Sequence, residues 1–92
     1  MAYVEDVFDA AMGIMDELSV SGEARTSDTE EYALRTPAIV NTLVAELKML
    51  TGDRADWLAI QSLEDVVPVG DTSYSLGALP YGLAAGLLVD EN

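Results

Sequence analysis

The sequence predicts a small all-α protein, a bundle of three principal helices with a packed irregular loop before the last helix. Apolar residues recur at steps of three and four over residues 3–18 and again toward residue 50, as they do on one face of a helix. A third, almost uncharged segment follows over residues 73–89. At 92 residues the chain is long enough for one domain at most, which we expect to span residues 1–92.

The first predicted helix covers residues 3–18. Acidic residues occupy most of one face and apolar residues the other, which is typical of an amphipathic helix that packs on a core. The stretch after it, "SVSGEARTS", has the serine and glycine content of a loop. The apolar stripe of this helix consists of Val4, Val7, Phe8, Ala11, Ile14, Met15 and Leu18.

The second helical segment begins near Ser27. Its "SDTE" sequence is typical of a capping box, in which the Ser27 hydroxyl accepts the backbone N–H of Glu30 and the Glu30 carboxylate accepts that of Ser27. Gly52 predicts the end of the segment, because glycine commonly terminates a helix. The predicted buried stripe is Tyr32, Ile39, Val40, Leu43, Val44, Leu47 and Leu50.

Pro37 lies inside this segment and leaves its continuity open. Within a helix, proline removes one backbone hydrogen bond and disfavours helical geometry at the preceding residue, Thr36. The chain therefore forms either one kinked helix or a new helix that Thr36 caps, with Pro37 at its first position. We expect the second arrangement, with a short turn over residues 28–35 and a main helix over residues 37–50.

Residues 53–70 are the least regular part of the sequence. Their apolar residues show no sustained helical period, and a proline and a glycine punctuate the end. The "VVPV" stretch at 66–69 suits an extended piece, but the sequence contains no clear partner strand, so we expect a packed loop or one helical turn. Asp71 or Ser73 then caps the last helix, over residues 73–89.

Charge is the strongest compositional signal. The chain carries 17 acidic and 4 basic residues, a formal net charge of −13, and no cation lies beyond residue 54. Affinity for a phosphate backbone comes from Lys and Arg, so direct nucleic-acid binding is not expected. A basic partner, or a role that requires not binding nucleic acid, fits this charge better. The simplest alternative is that charge only keeps a small apolar protein in solution.

The sequence offers little support for catalysis. It contains no cysteine and no histidine, which excludes disulfides, thiolate chemistry and the usual general base near neutral pH. Carboxylate pairs such as Glu5 and Asp9 share a helix face, as solvated surface acids commonly do. We therefore expect no enzyme activity, no cofactor and no dedicated metal site. The N-terminus carries acids where a signal peptide carries positive charge, which predicts a cytosolic protein.

The apolar segment at residues 76–89 allows three roles: a membrane anchor, a core helix, or a face for a partner. Its 14 residues fall short of the about 20 that cross a bilayer, and acids flank it, so we expect no membrane contact. A helix that is apolar on nearly every side is normally enclosed, yet two short amphipathic helices cover only part of it. The segment is therefore a core helix, or a core helix that also gives one face to a neighbouring subunit. The candidates for that contact are Leu79, Tyr81, Gly82, Leu83, Gly86 and Leu87.

Three stretches of the chain, "TPAIVNTLVAEL", "SLEDVVPVGD" and "LPYGLAAGLLVDEN", carry a resemblance to a known family. They resemble small proteins encoded among the morphogenesis genes of tailed bacteriophages and prophages, in particular the head–tail connector, or adaptor, group. The similarity spans about residues 5–92 and rests on the order of elements and on the stretch from Leu79 to Ala84. Proteins of that group continue past the "DEN" with a further amphipathic helix, whereas this sequence stops at Asn92.

The resemblance implies an all-helical virion protein with no enzyme activity and no cofactor. Such a protein forms a homo-oligomeric ring beneath the portal, contacts portal and tail-completion proteins, and passes from the host cytoplasm to the head–tail junction of the virion. Acidic charge suits a ring that lines a DNA conduit, because a repelled duplex slides rather than binds. The alternative hypothesis is a free acidic binding protein, a DNA mimic or an inhibitor of a basic host protein. That role needs acids spaced like phosphates on one face, whereas here they are spread over several segments.

Overall fold

The computed structural model describes residues 2–17, 19, 21–69 and 77–89. Across those ranges the chain forms three helices and no strand, namely α1 (Val4–Ile14), α2 (Glu30–Thr51) and α3 (Leu79–Val89). α3 packs against both of the other helices, whereas α1 and α2 contact each other over a small area. The predicted all-α bundle of three principal helices is confirmed, with α3 as its central member.

The core forms where α3 meets α1 and α2. α1 buries residues at a three- and four-residue spacing, which closes one face of the helix against α3. α3 runs antiparallel to α2, because Gly82 lies opposite Leu43 and Gly86 lies opposite Ile39. Burial of apolar side chains here supplies the main favourable free energy of folding. The largest fully buried apolar side chains of the helices are Val4, Val7, Phe8, Met12, Val40, Val44, Leu79, Leu83 and Leu87.

α2 is continuous through Pro37, so the predicted break at this residue is wrong. A proline inside a helix costs about 3 kcal/mol. Packing on both sides offsets that cost, because Ala33 and Val40 are buried and one buried valine side chain contributes about 1.5–3 kcal/mol. The Thr36 hydroxyl donates to the Tyr32 carbonyl oxygen at 2.8 Å, as within a helix, instead of capping a new one.

α2 also begins later than the capping-box sequence predicts. Ser27 lies in a turn, and the residue that precedes the helix is Thr29. The buried Thr29 hydroxyl donates to the Ala24 carbonyl oxygen at 2.7 Å and accepts the backbone N–H of Thr26 at 2.9 Å. Thr29 therefore ties the preceding loop to the core, a contact that the exposed Ser27 does not make. Gly52 ends α2 as predicted, in the left-handed conformation with φ of 75°.

The first turn of α1 is closed by the loop that precedes α3. The backbone N–H of Val4 donates to the Asp65 carbonyl oxygen at 2.8 Å, and that of Glu5 donates to the Leu63 carbonyl oxygen at 2.7 Å. These are two of the donors that every helix leaves without an internal partner at its N-terminus. The loop therefore stabilises α1 through backbone hydrogen bonds as well as through apolar packing.

Residues 53–69 form the predicted packed loop, with Ile60, Leu63 and Val67 buried. The Asn41 side chain on α2 holds Ile60 with two hydrogen bonds. Its Nδ2 donates to the Ile60 carbonyl oxygen at 2.9 Å, and its Oδ1 accepts the Ile60 backbone N–H at 2.7 Å. Asn41 on α2 thus fixes the path of this loop, for which the sequence of the loop itself predicted no regular structure.

Tyr3 and Val66 form an isolated antiparallel bridge. The "VVPV" stretch therefore has a backbone partner, which lies outside any strand and was not evident from the sequence. α1 ends before residue 18, because Asp16 takes a left-handed conformation with φ of 59° and turns the chain away. Leu18 and the predicted start of the last helix, at residues 71–73, lie outside the described residues.

Candidate interaction surface

The solvent side of α3 is apolar. We call this surface the α3 outer face; it consists of Ala78, Tyr81, Ala85, Leu88 and Val89. These residues recur at steps of three and four, so their side chains share one side of the helix. Tyr81 is 66% exposed and Val89 is 69% exposed. No charged residue occurs between positions 77 and 89, so this face combines apolar exposure with the absence of charge.

The structure divides the predicted contact residues of α3 between its two sides. Tyr81 lies on the α3 outer face. It is joined there by Leu88 and Val89, which the sequence reasoning missed although their spacing from Tyr81 indicates the same side. One side of α3 therefore packs in the core, and the opposite side is exposed and apolar. Inside the bundle lie Leu79, Gly82, Leu83, Gly86 and Leu87.

Gly82 and Gly86 allow α3 to approach α2 closely. A Cβ atom at Gly82 would lie 2.9 Å from Leu43 Cδ2, and one at Gly86 would lie 2.9 Å from Ile39 Cγ2. Both distances are shorter than the about 3.5–4.0 Å of an ordinary carbon–carbon contact. Gly82 and Gly86, which the sequence offered as candidates for contact with a neighbouring subunit, therefore serve a contact within the chain, between α3 and α2.

A second exposed apolar stripe runs along α2. We call it the α2 outer face; it consists of Leu34, Ala38, Thr42, Ala45 and Met49, all of which are exposed. The sequence reasoning missed this stripe. A signal was present, since the nine residues "PAIVNTLVA" at 37–45 contain no charge, which is unusual for a helix with one side in water.

Leu50, which the sequence placed in the buried stripe of α2, is 82% exposed. The antiparallel arrangement explains the error. α3 begins beside Leu47, and a small groove between the two helices there is lined by Leu43, Glu46, Leu47, Leu50, Ala78 and Leu79. The last turn of α2 therefore extends beyond the described part of α3, and helical spacing alone could not show where the neighbouring helix begins.

Among the residues that the structure describes, the pKa values of Asp9 and Asp53 are shifted. Partial burial, followed by the neighbouring carboxylates of Glu5 and Asp6, raises the pKa of Asp9 above its ordinary value. The pKa of Asp53 is lowered, mainly by the hydrogen bond from Lys48, whose Nζ lies 2.9 Å from Asp53 Oδ2. Partial burial with like-charge repulsion accounts for the first shift and a hydrogen-bonded ion pair for the second, so neither points to a reactive centre.

Other kinds of site find no support among the described ranges. These residues contain no group of three or more metal-ligating side chains. None of their helices has both the length and the apolar character to cross a bilayer. Comparisons with known protein families, curated proteins and solved structures found no match for this chain.

Proposed function

We propose that this chain is a structural subunit of a phage or prophage head–tail connector, which assembles with further copies of itself and with portal and tail-completion proteins. The observation that carries the proposal is the α3 outer face, an exposed apolar side on the central helix of the bundle. The resemblance of the sequence to the connector group supports it independently.

Charge favours the α3 outer face as the place of contact. At a net charge of −13, most encounters between two copies bring like charges together. The α3 outer face avoids this, because residues 77–89 carry no charge. Tyr81 and Leu88 can be buried there without desolvating an ion, so association gains apolar burial at little electrostatic cost.

The area of the α3 outer face limits the strength of this contact. A helix of 11 residues is about 16 Å long and about 10 Å wide, so one side offers on the order of 200 Å². A specific and stable complex buries about 800 Å² per partner. Two isolated copies are therefore expected to associate weakly, and ring closure or contact with the portal would contribute the remaining area. Association should depend on concentration or on the partner.

Two variants test the α3 outer face without disturbing the core. Tyr81 and Leu88 are exposed, so Tyr81→Asp and Leu88→Asp should each leave the bundle folded. Sedimentation velocity over a concentration series measures self-association, and electron microscopy of the chain mixed with the portal protein of the same phage shows whether a ring forms. We expect each variant to weaken association at least tenfold, because a carboxylate buried without a partner costs more than about 1.4 kcal/mol.

Met49→Asp is the matched control, since Met49 is at least as exposed as Tyr81 but lies on the α2 outer face. It should associate like the parent chain. Loss of association in Met49→Asp alone would place the contact on α2 instead. Association that no variant alters would overturn the proposed surface. Salt-sensitive binding to a basic enzyme, with no binding to the portal, would favour the free acidic binding protein.

A further inference from the structure

The loop before α3 contains a cleft with apolar side chains at its mouth. We call it the 58–66 cleft; its volume is about 390 Å³, within the range of peptide- and ligand-sized pockets. Leu58 is 91% exposed and Val66 is 42% exposed, although neighbouring residues of the same loop are buried. The side chains of Leu58 and Val66 are thus exposed to water beside an open cleft. The cleft is lined by Leu58, Ala59, Ile60, Gln61, Asp65 and Val66.

The 58–66 cleft is lined by Val66, whose backbone forms an isolated antiparallel bridge. The two hydrogen bonds of the Tyr3–Val66 bridge are not made by Tyr3 and Val66 themselves. They join the residues that come directly before and after Tyr3 to those that come directly before and after Val66. In an antiparallel pair of this type, the paired residues turn their own N–H and C=O groups away from each other. Nothing in the described part of the chain bonds to the Val66 backbone. Its donor and acceptor are therefore available on the side away from Tyr3.

A second lining residue of the cleft, Ala59, also has backbone groups that are unpaired within the described ranges. Both backbone groups of Ile60 bond to Asn41 on α2. Because backbone groups of successive residues in an extended segment point to opposite sides, those of Ala59 turn away from α2. No described residue bonds to the Ala59 backbone, and Ala59 lines the cleft. An extended peptide in the cleft would therefore meet unpaired backbone groups at two lining residues, Ala59 and Val66.

Charge around the cleft indicates the chemistry of its partner. Asp65 is the one charged residue in the described lining of the cleft, and the loop around it adds Asp56 and Glu64. The cation Arg25 lines a neighbouring groove together with Glu30 and Gln61, so acids still outnumber bases here. A second copy that paired edge to edge here would bring these acids against their own counterparts, which disfavours self-pairing. A peptide that alternates apolar and basic residues places its apolar side chains on one face, toward Leu58 and Val66, and its basic side chains on the other.

We propose that the 58–66 cleft binds an extended basic segment of a partner protein, which adds a strand beside Val66. Main-chain hydrogen bonds supply affinity in this mode of recognition, and alternate side chains supply specificity. The site is separate from the α3 outer face and does not depend on the connector function. The proposals for the two surfaces can therefore be tested in separate experiments.

The probe is a blocked hexapeptide of alternating lysine and valine, titrated into the ¹⁵N-labelled chain. We expect saturable changes in the amide signals of Ala59 and Val66, slower hydrogen exchange at Val66, and binding that weakens as salt is added. The control peptide alternates glutamate and valine, with the same length and strand propensity. It should bind at least tenfold more weakly, because it meets the acidic rim with like charge.

Val66→Pro removes the backbone donor that the chain itself does not use, so its internal hydrogen bonds are retained. It should bind the lysine–valine peptide at least tenfold more weakly. Glu64→Lys, an exposed charge reversal, tests the acidic rim even if the proline variant unfolds. Tyr81→Asp should bind like the parent chain. Equal affinity for both peptides, unchanged binding in Glu64→Lys, or signal changes confined to α3 would overturn the proposal.

Discussion

α1 and α3 have the same length and opposite outer surfaces. Each is a helix of 11 residues, and each has five buried residues. α1 turns Glu5, Asp6 and Asp9 away from the core, whereas the α3 outer face carries no charge. A helix that only closes a core needs one apolar side, as α1 has. The second apolar side of α3 adds nothing to the isolated bundle, which is why it is the proposed contact surface.

The largest effect should come from the core, and it should be similar on the two helices. Phe8→Ala on α1 and Leu83→Ala on α3 each truncate a fully buried side chain. We expect each to lower the free energy of unfolding by about 3–5 kcal/mol. Small domains have only about 5–15 kcal/mol in total, so either loss is a large fraction of the stability of the chain. Urea denaturation followed by circular dichroism measures this loss.

Tyr81→Ala is the control for the core variants, because it truncates a side chain on the exposed side of α3. Its free energy of unfolding should change by no more than about 0.5 kcal/mol. A loss for Leu83→Ala that is no larger than the loss for Tyr81→Ala would contradict the central position of α3.

Glycine substitutions should have intermediate effects of opposite sign on the two helices. A Cβ at Gly86 meets Ile39 Cγ2, which a β-branched side chain can move only by changing its rotamer. Gly86→Ala should therefore cost about 1–3 kcal/mol from overpacking, against about 1 kcal/mol gained in helix propensity. Gly13→Ala on α1 meets open space and should gain up to about 1 kcal/mol.

Gly82→Ala sharpens this comparison within α3. The clashing atoms are the two terminal methyls of Leu43, 2.9 and 3.1 Å from the added Cβ. They lie at the far end of a side chain that is unbranched at Cβ, and rotation of that side chain moves them, so the loss should be smaller than at Gly86. Thermal unfolding of the three alanine variants measures the order Gly13, Gly82, Gly86 from most to least stable. Equal stability of the Gly13 and Gly86 variants would show that α3 does not approach α2 as closely as described.

The smallest effect should be the pH dependence of Asp9 on α1. Its folded-state pKa is raised above the ordinary value of 3.8 by burial and then by Glu5 and Asp6. Ionised Asp9 therefore opposes folding at neutral pH, and this cost disappears as pH falls through the raised folded-state pKa. Asp9→Asn should stabilise the chain by about 0.2–0.5 kcal/mol at pH 7, as relief of like-charge pairs on a helix does. Urea denaturation at pH 7 and at pH ~3, below the ordinary carboxyl pKa, measures whether that gain vanishes.

Asp53→Asn is the opposite control, because the pKa of Asp53 is lowered by its hydrogen bond from Lys48. Ionised Asp53 stabilises the fold above its ordinary pKa, and that contribution is lost as pH falls through the lowered value. Asp53→Asn should therefore be less stable than the parent at pH 7. A loss of stability in Asp9→Asn at pH 7 would contradict the raised pKa.

Local sequence patterns predicted the elements that depend on local physics. The apolar stripe of α1 and the glycine that ends α2 both follow from the geometry of one helix. Several of the errors arise from contacts that a helical pattern does not record. Pro37 did not break α2 because buried neighbours on both sides hold the helix together. Ser27 did not cap it because Thr29 makes the contact to Ala24.

The two proposed surfaces were predictable to different degrees. A core helix that also offers one side to a neighbour was one of the two roles that the sequence left open for residues 76–89, and Tyr81 was named among the contact residues. The 58–66 cleft was not foreseeable. It depends on Asn41 holding Ile60 and on Tyr3 meeting Val66, pairings between residues far apart in the chain that no local pattern records.

The sequence by itself determined the all-α class, the order of three helices and the acidic, charge-asymmetric surface, because periodicity and charge are properties of neighbouring residues. Only the tertiary structure decided which side of α3 faces water, where α2 runs past α3, and which backbone groups stay unpaired. These depend on the direction in which helices pack and on hydrogen bonds that close over long sequence separations. The free energy of such a contact depends on two residues that are far apart in the sequence. It is therefore determined only when folding brings the two residues together.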